Sequence, residues 1–216
     1  MYDLARGASP GLPLQKKTLV AAEQRREDVV RKRYNWLRCR RRWNAEKLVF
    51  LDETWAKTNM TMSRGWALGS KRLLEYVPHG HWQTTTVLCG LRCSGPVAPL
   101  VVDGAINGSI FRSWTEQHLI KELHPGDIVI MDNLNSHKVT GVEEAVGSVG
   151  ARVRYLPPYS PDLNPIENMF SKLKHLIRKS GKRILEALWK DIGELLDYFD
   201  PKECWNYIKH AGYTKI

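Results

Sequence analysis

The order in which short apolar runs and helical runs follow one another is the strongest constraint on what this chain can fold into. "KLVFLDE" (47–53), "HWQTTTVLCGLRC" (81–93) and "VAPLVVDG" (97–104) read as strands, the last two joined by Ser94, Gly95 and Pro96 as a hairpin turn. "NGSIFRSWTEQHLIKEL" (107–123) sets Ile110, Phe111, Trp114, His118 and Leu119 at helical spacing and stops before Pro125 and Gly126. A strand "DIVIMD" (127–132), a weaker helix "KVTGVEEAVGSVG" (138–150), a strand "ARVRYL" (151–156) and helices over 165–180, 183–199 and 201–210 complete the chain. Three strands followed by alternating helices and strands predict an α/β fold, with a mixed central sheet of about five strands flanked by helices. Ligands of open α/β sheets gather at the carboxyl ends of strands.

At 216 residues the chain is long enough for one substantial core, and 43% hydrophobic residues fit a globular protein. Its net charge of +10 is unevenly spread: residues 1–47 hold 13 Lys and Arg against 5 Asp and Glu. This suggests a basic arm over 1–46, either a linker or a helical extension, and a separate domain over 47–216. The first 17 or so residues carry Gly7, Pro10, Gly11 and Pro13 and read as a loop; "EQRREDVVRKRYNWLRCRRRW" (23–43) reads as a basic helix. A polyanion, nucleic acid above all, is the partner such an arm suits. No apolar run reaches the roughly 18 residues of a membrane span, and the opening residues lack the apolar centre of a signal peptide. The expectation is a cytoplasmic protein with no membrane partner, in which Cys39, Cys89, Cys93 and Cys204 are reduced thiols. His79, His81, Cys89 and Cys93 are the nearest approach to a zinc set, but Cys89 and Cys93 sit in a period-two run and read as strand residues.

Three acids fall at element ends: Asp52 closing the first strand, Asp132 closing "DIVIMD", and Glu167 opening the helix after the proline-rich "YLPPYSPDLNPIEN" (155–168). The prolines restrict that connection to few backbone states, with Asn164 placed as helix cap, Pro165 at the first helical position and Glu167 reaching back as in a capping box. Taken singly, each acid fits a turn or a helix start. If the first and fourth strands are parallel neighbours, the three converge at one sheet edge, where their mutual repulsion calls for cations. Hard carboxylate oxygens suit Mg²⁺ or Mn²⁺, and two such ions serve phosphoryl displacement.

The segments "FLDETWAKTNM", "VIMDNLNSHK" and "LPPYSPDLNPIENMFSKLK" resemble the catalytic domain of DDE-superfamily transposases, in particular the mariner-related group of bacterial insertion sequences. Between Asp132 and Glu167 lie 34 residues, the spacing typical of that group's last two acids. The resemblance runs over about 48–213. It implies a ribonuclease-H-like fold, Asp52, Asp132 and Glu167 as catalytic metal ligands, cleavage of DNA at transposon ends, and joining of the released 3′ hydroxyl to target DNA. It implies nucleoid-associated work on inverted-repeat and target DNA, as a homodimer on paired ends. Such proteins carry a helix-turn-helix region ahead of this domain; here it would be supplied in trans. The alternative is a truncated, non-catalytic remnant that binds DNA and represses or co-assembles with an intact transposase.

Around the acids, Lys174 and Arg178 follow Glu167 at seven and eleven residues, in nearly the same direction on a helical wheel, and suit phosphate contact. Ile166, Met169, Phe170, Leu173 and Ile177 form a separate apolar stripe. Asn133 is positioned to orient a ligand, and His137 to do so or to touch phosphate. Trp55, Trp66 and Trp82 fit packing better than stacking on unpaired bases. Asp132, Ser136 and His137 lie too close in sequence for a hydrolase triad, and no phosphate-binding glycine loop is present.

Overall fold

A computed structural model of the protein describes residues 20–69, 72–77, 80–133 and 140–214. Five strands form one sheet in the order β3-β2-β1-β4-β5: β1 (Leu48–Lys57), β2 (Thr84–Arg92), β3 (Gly95–Asp103), β4 (Ile128–Met131) and β5 (Arg152–Tyr155). β1, β2 and β3 pair antiparallel as a meander, and β4 and β5 add in parallel on the other side of β1. Helices α1 (Glu27–Arg40), α2 (Gly108–Gln117), α3 (Val142–Ser148), α4 (Ile166–Ser180), α5 (Leu185–Leu196) and α6 (Pro201–His210) cover it. This mixed five-stranded sheet between helices is the ribonuclease-H-like arrangement.

Strand periodicity sorts the core into two layers. On β1 and β4, Leu48, Phe50, Ile128 and Ile130 face one side, packed with Met169, Phe170, Leu173 and Ile177 of α4 and with Leu188, Ile192, Cys204 and Ile208 of α5 and α6. Val49, Leu51, Val129 and Met131 face the other, against Phe111 and Trp114 of α2 and Val142 and Val146 of α3. The α4 stripe read from the helical wheel is buried throughout. Even-numbered positions of β1 and β4 thus look toward α4, which decides where Asp52 and Asp132 point.

Three boundaries differ from the sequence reading. β1 continues five residues beyond Asp52, because β2 goes on pairing with it to Lys57 after β4 has ended at Met131. The helix expected over 107–123 breaks at His118 and resumes as a 3₁₀ turn, Leu119–Glu122, which sends Leu119 fully into the core. Asn164 does not cap α4. The N-cap is Pro165, without a side-chain cap hydrogen bond, and the Asn164 side chain is engaged elsewhere.

The basic helix α1 is docked on the domain. Val29 is fully buried, and Trp36, Leu37 and the following Trp43 pack against the larger core layer. Arg33 donates to Ser160 Oγ at 2.7 Å and grips Asp162 through both nitrogens at 2.9 and 2.7 Å. Two-point pairing of this kind is the strong form of an ion pair, and it fixes the proline-rich connection from outside. At the opposite end of the sheet Arg92 pairs with the buried Asp127 and donates to Glu122 O at 2.7 Å, tying β2 to the start of β4.

Candidate active site

Asp52, within β1, and Asp132, directly after β4, take corresponding positions on adjacent parallel strands. The last register pair of β1 and β4 is Leu51 with Met131, so each aspartate is the residue immediately beyond it. Both are even-numbered and share the face on which α4 packs. The chain then runs from β5 through Leu156–Pro158 and the 3₁₀ turn Pro161–Leu163 into α4, and this path returns Glu167 to the same place. One cleft of about 470 Å³ is lined by Asp52, Asp132, Asn133, Asn164, Glu167 and the connection from Leu156 to Pro161.

The three acids differ in setting. Asp52 is buried, its Oδ1 accepting from the Glu53 backbone N–H at 2.8 Å and its Oδ2 from Asn164 Nδ2 at 2.8 Å. Asp132 is half-buried, and Glu167 still reaches solvent. Loss of hydration pushes the Glu167 carboxyl above its ordinary range; the Lys174 cation opposes this and the Asp132 charge adds to it. Desolvation likewise holds the Lys174 amine below its usual value, against the pull of Glu167. Lys174 also stands 4.3 Å from the centroid of the Trp55 ring.

Lys174 and Arg178 share a shallow depression with Glu167, Phe170 and Ser171, so the cationic row read from the helical wheel borders the acid. Asn133 lines the cleft. His137 and His79 lie outside the described residues. Trp55, Trp66 and Trp82 are not packing residues: they are 48%, 100% and 48% exposed. Trp55 lies on the part of β1 that outruns β4, and the other two in the irregular stretch between β1 and β2. The thiol of Cys89 is buried and donates to backbone carbonyls of Gly90 and Val97, as a strand residue would. Asn164 is misassigned by the sequence as well; the Asn-Pro pair signals a helix start, and nothing local signals a contact 112 positions away.

Among the described residues no three His, Cys, Asp or Glu side chains sit close enough together to hold a metal ion. The donor set nevertheless fits a hard divalent cation: the cleft offers carboxylate oxygens from three elements, and Asn164 Oδ1 is buried without a hydrogen-bond partner. Both oxygens of Asp52 accept hydrogen bonds, so its carboxylate is held in a fixed orientation facing the cleft. Like charges hold apart when nothing neutralises them, and Lys174 supplies part of that neutralisation here.

A family model described as DDE superfamily endonuclease matches residues 47–188. Among solved structures, the Mos1 transposase paired-end complex with left transposon end superimposes with a TM-score of 0.73 at 19% identity, over 94% of this chain and 64% of that one. The Mos1 strand transfer complex gives 0.73 at 18%, over 94% and 63%. The catalytic domain of Mos1 mariner transposase gives 0.62 at 18%, over 94% and 93%. The chain therefore spans about two thirds of the longer Mos1 chains and nearly all of the isolated domain. No curated protein matches the sequence.

Proposed function

Since this chain belongs to the DDE superfamily endonuclease family, we propose that it is the catalytic part of a transposase, cleaving DNA at transposon ends and joining them to target DNA with Mg²⁺ or Mn²⁺. The observation that carries this reading is that Asp52 on β1 and Asp132 at the end of the neighbouring β4 line a cleft that Glu167 also lines. Solved Mos1 paired-end complexes with Mg and with Mn support the choice of cation. The chain's own resolved geometry adds the reasons that the residues suit the task.

Asp52, Asp132 and Glu167 would hold two cations, which when bound activate the attacking oxygen and stabilise the leaving one. Asp52 lies within β1, paired with Cys89 of β2, and Asp132 directly follows β4, whose last residue pairs with both Leu51 and Tyr155; Glu167 comes from α4, set by the rigid connection that Arg33 pins. Lys174 and Arg178 would take the phosphates of the bound strand, beside Glu167. Asn133, at the cleft wall, and His137 would orient the ligands or the DNA. DNA partners and a dimer on paired ends belong to the same reading, as does the division into a basic arm over 1–46 and a catalytic domain over 47–216.

Incubation with inverted-repeat DNA, Mg²⁺ or Mn²⁺ and a supplied DNA-binding half tests it. Strand cleavage is expected with the cation and absent with a chelator, and Asp132→Asn is expected to lower the rate about 100-fold or more while DNA binding persists. Cleavage that survives both chelation and Asp132→Asn would refute the proposal.

A further inference from the structure

Asn164 stands where a helix cap would stand, and its side chain does something else. Its backbone is extended, as a residue before proline favours, and its carbonyl accepts from the Glu167 N–H at 3.2 Å. Its amide nitrogen crosses to β1 and donates to Asp52 Oδ2 at 2.8 Å. One residue thus joins the strand that carries the first acid to the helix turn that carries the third.

The orientation of the amide follows from this contact. Exchanging its nitrogen and oxygen would set an oxygen against the Asp52 carboxylate, with no proton between them. Asn164 Oδ1 is therefore the outer atom. It is buried and has no hydrogen-bond partner, on a side chain only 4% exposed that lines the cleft with Asp132 and Glu167. Leaving a buried carbonyl oxygen unpaired costs about 1–3 kcal/mol, and a buried group in that state calls for a donor that arrives later. In a cleft of carboxylates the fitting donor is a water molecule polarised by a cation.

Resting on the metal-dependent reading above, we infer that Asn164 is a positioning residue of this site: its Nδ2 locks the Asp52 carboxylate in place, and its Oδ1 accepts from a water of the cation's hydration shell. A water held by the cation would satisfy Oδ1 while Nδ2 keeps its bond to Asp52. Removing Asn164 would then weaken cation binding and slow the reaction without altering how DNA is held.

Asn164→Leu keeps the volume and removes both polar atoms; Asn164→Ala removes the side chain. Titration with Mn²⁺, followed by the electron paramagnetic resonance of the free ion, is expected to show binding about 10- to 100-fold weaker in both variants. In the cleavage assay kcat falls by a comparable factor, while KM for DNA stays within about twofold. Folded variants that bind Mn²⁺ as the wild type does would overturn the inference. Should neither variant fold, the wild-type protein decides: the Asn164 side-chain amide cross-peaks in a nitrogen-proton spectrum shift on saturation with Mg²⁺, and unmoved peaks overturn it. A wild-type protein that binds no Mn²⁺ at all would instead bring down the metal-dependent reading, and this inference with it.

Discussion

The hydrogen bonds on Asp52 and the ion pair on Asp162 are the single-residue contacts that most shape this site. Arg33 holds the Asp162 carboxyl below its ordinary value of 3.8, with burial working the other way. A depressed folded-state value means that the contribution is present above the unfolded value, and is lost as the pH falls through the folded one. Asp162 is half exposed, so the pair contributes modestly. The expected outcome is an Arg33→Ala variant with a lower melting temperature than wild type at about pH 6, and a gap that narrows toward about pH 3. Parallel melting curves across that range would contradict it. At this scale the sequence was informative for acids and less so for amides. Asp52, Asp132 and Glu167 stand at element ends, where local pattern exposes them, whereas the partner of Asn164 is fixed only by how β1 meets the α4 connection.

α4 does two jobs at neighbouring faces: its apolar stripe fills the larger core layer, and its polar edge presents Glu167, Lys174 and Arg178. Leu173→Ala, at a fully buried position of that stripe, is expected to lower unfolding free energy by about 2–5 kcal/mol in urea denaturation. A loss below about 1 kcal/mol would mean that α4 is not seated as described. Order and type of the elements were legible, because periods of two and 3.6 are strong signals over these lengths. Their ends were not. The length of β1 is set by β2, a partner some thirty residues on, and the break at His118 by the demand that Leu119 reach the core. The tryptophans were misread for the same reason, since only the tertiary arrangement reveals that β1 outruns β4 and leaves Trp55 uncovered.

For the whole molecule, the sheet order explains why residues far apart in the chain share a cleft. Adding β4 in parallel beside β1 brings Asp132 next to Asp52, and the return through β5 and the proline-rich connection delivers Glu167. The same topology docks the basic helix α1 on the far side of that connection, so that Arg33 braces the segment that positions α4. All three acids line one cleft, and joint binding of cations by them is the step that the proposed chemistry requires. A crystal structure of the protein saturated with Mn²⁺, located by anomalous scattering, tests this most directly. Manganese is expected in the cleft with oxygens of Asp52, Asp132 and Glu167 all within about 2.0–2.5 Å of an ion. Manganese bound elsewhere, or bound there without Glu167, would contradict it.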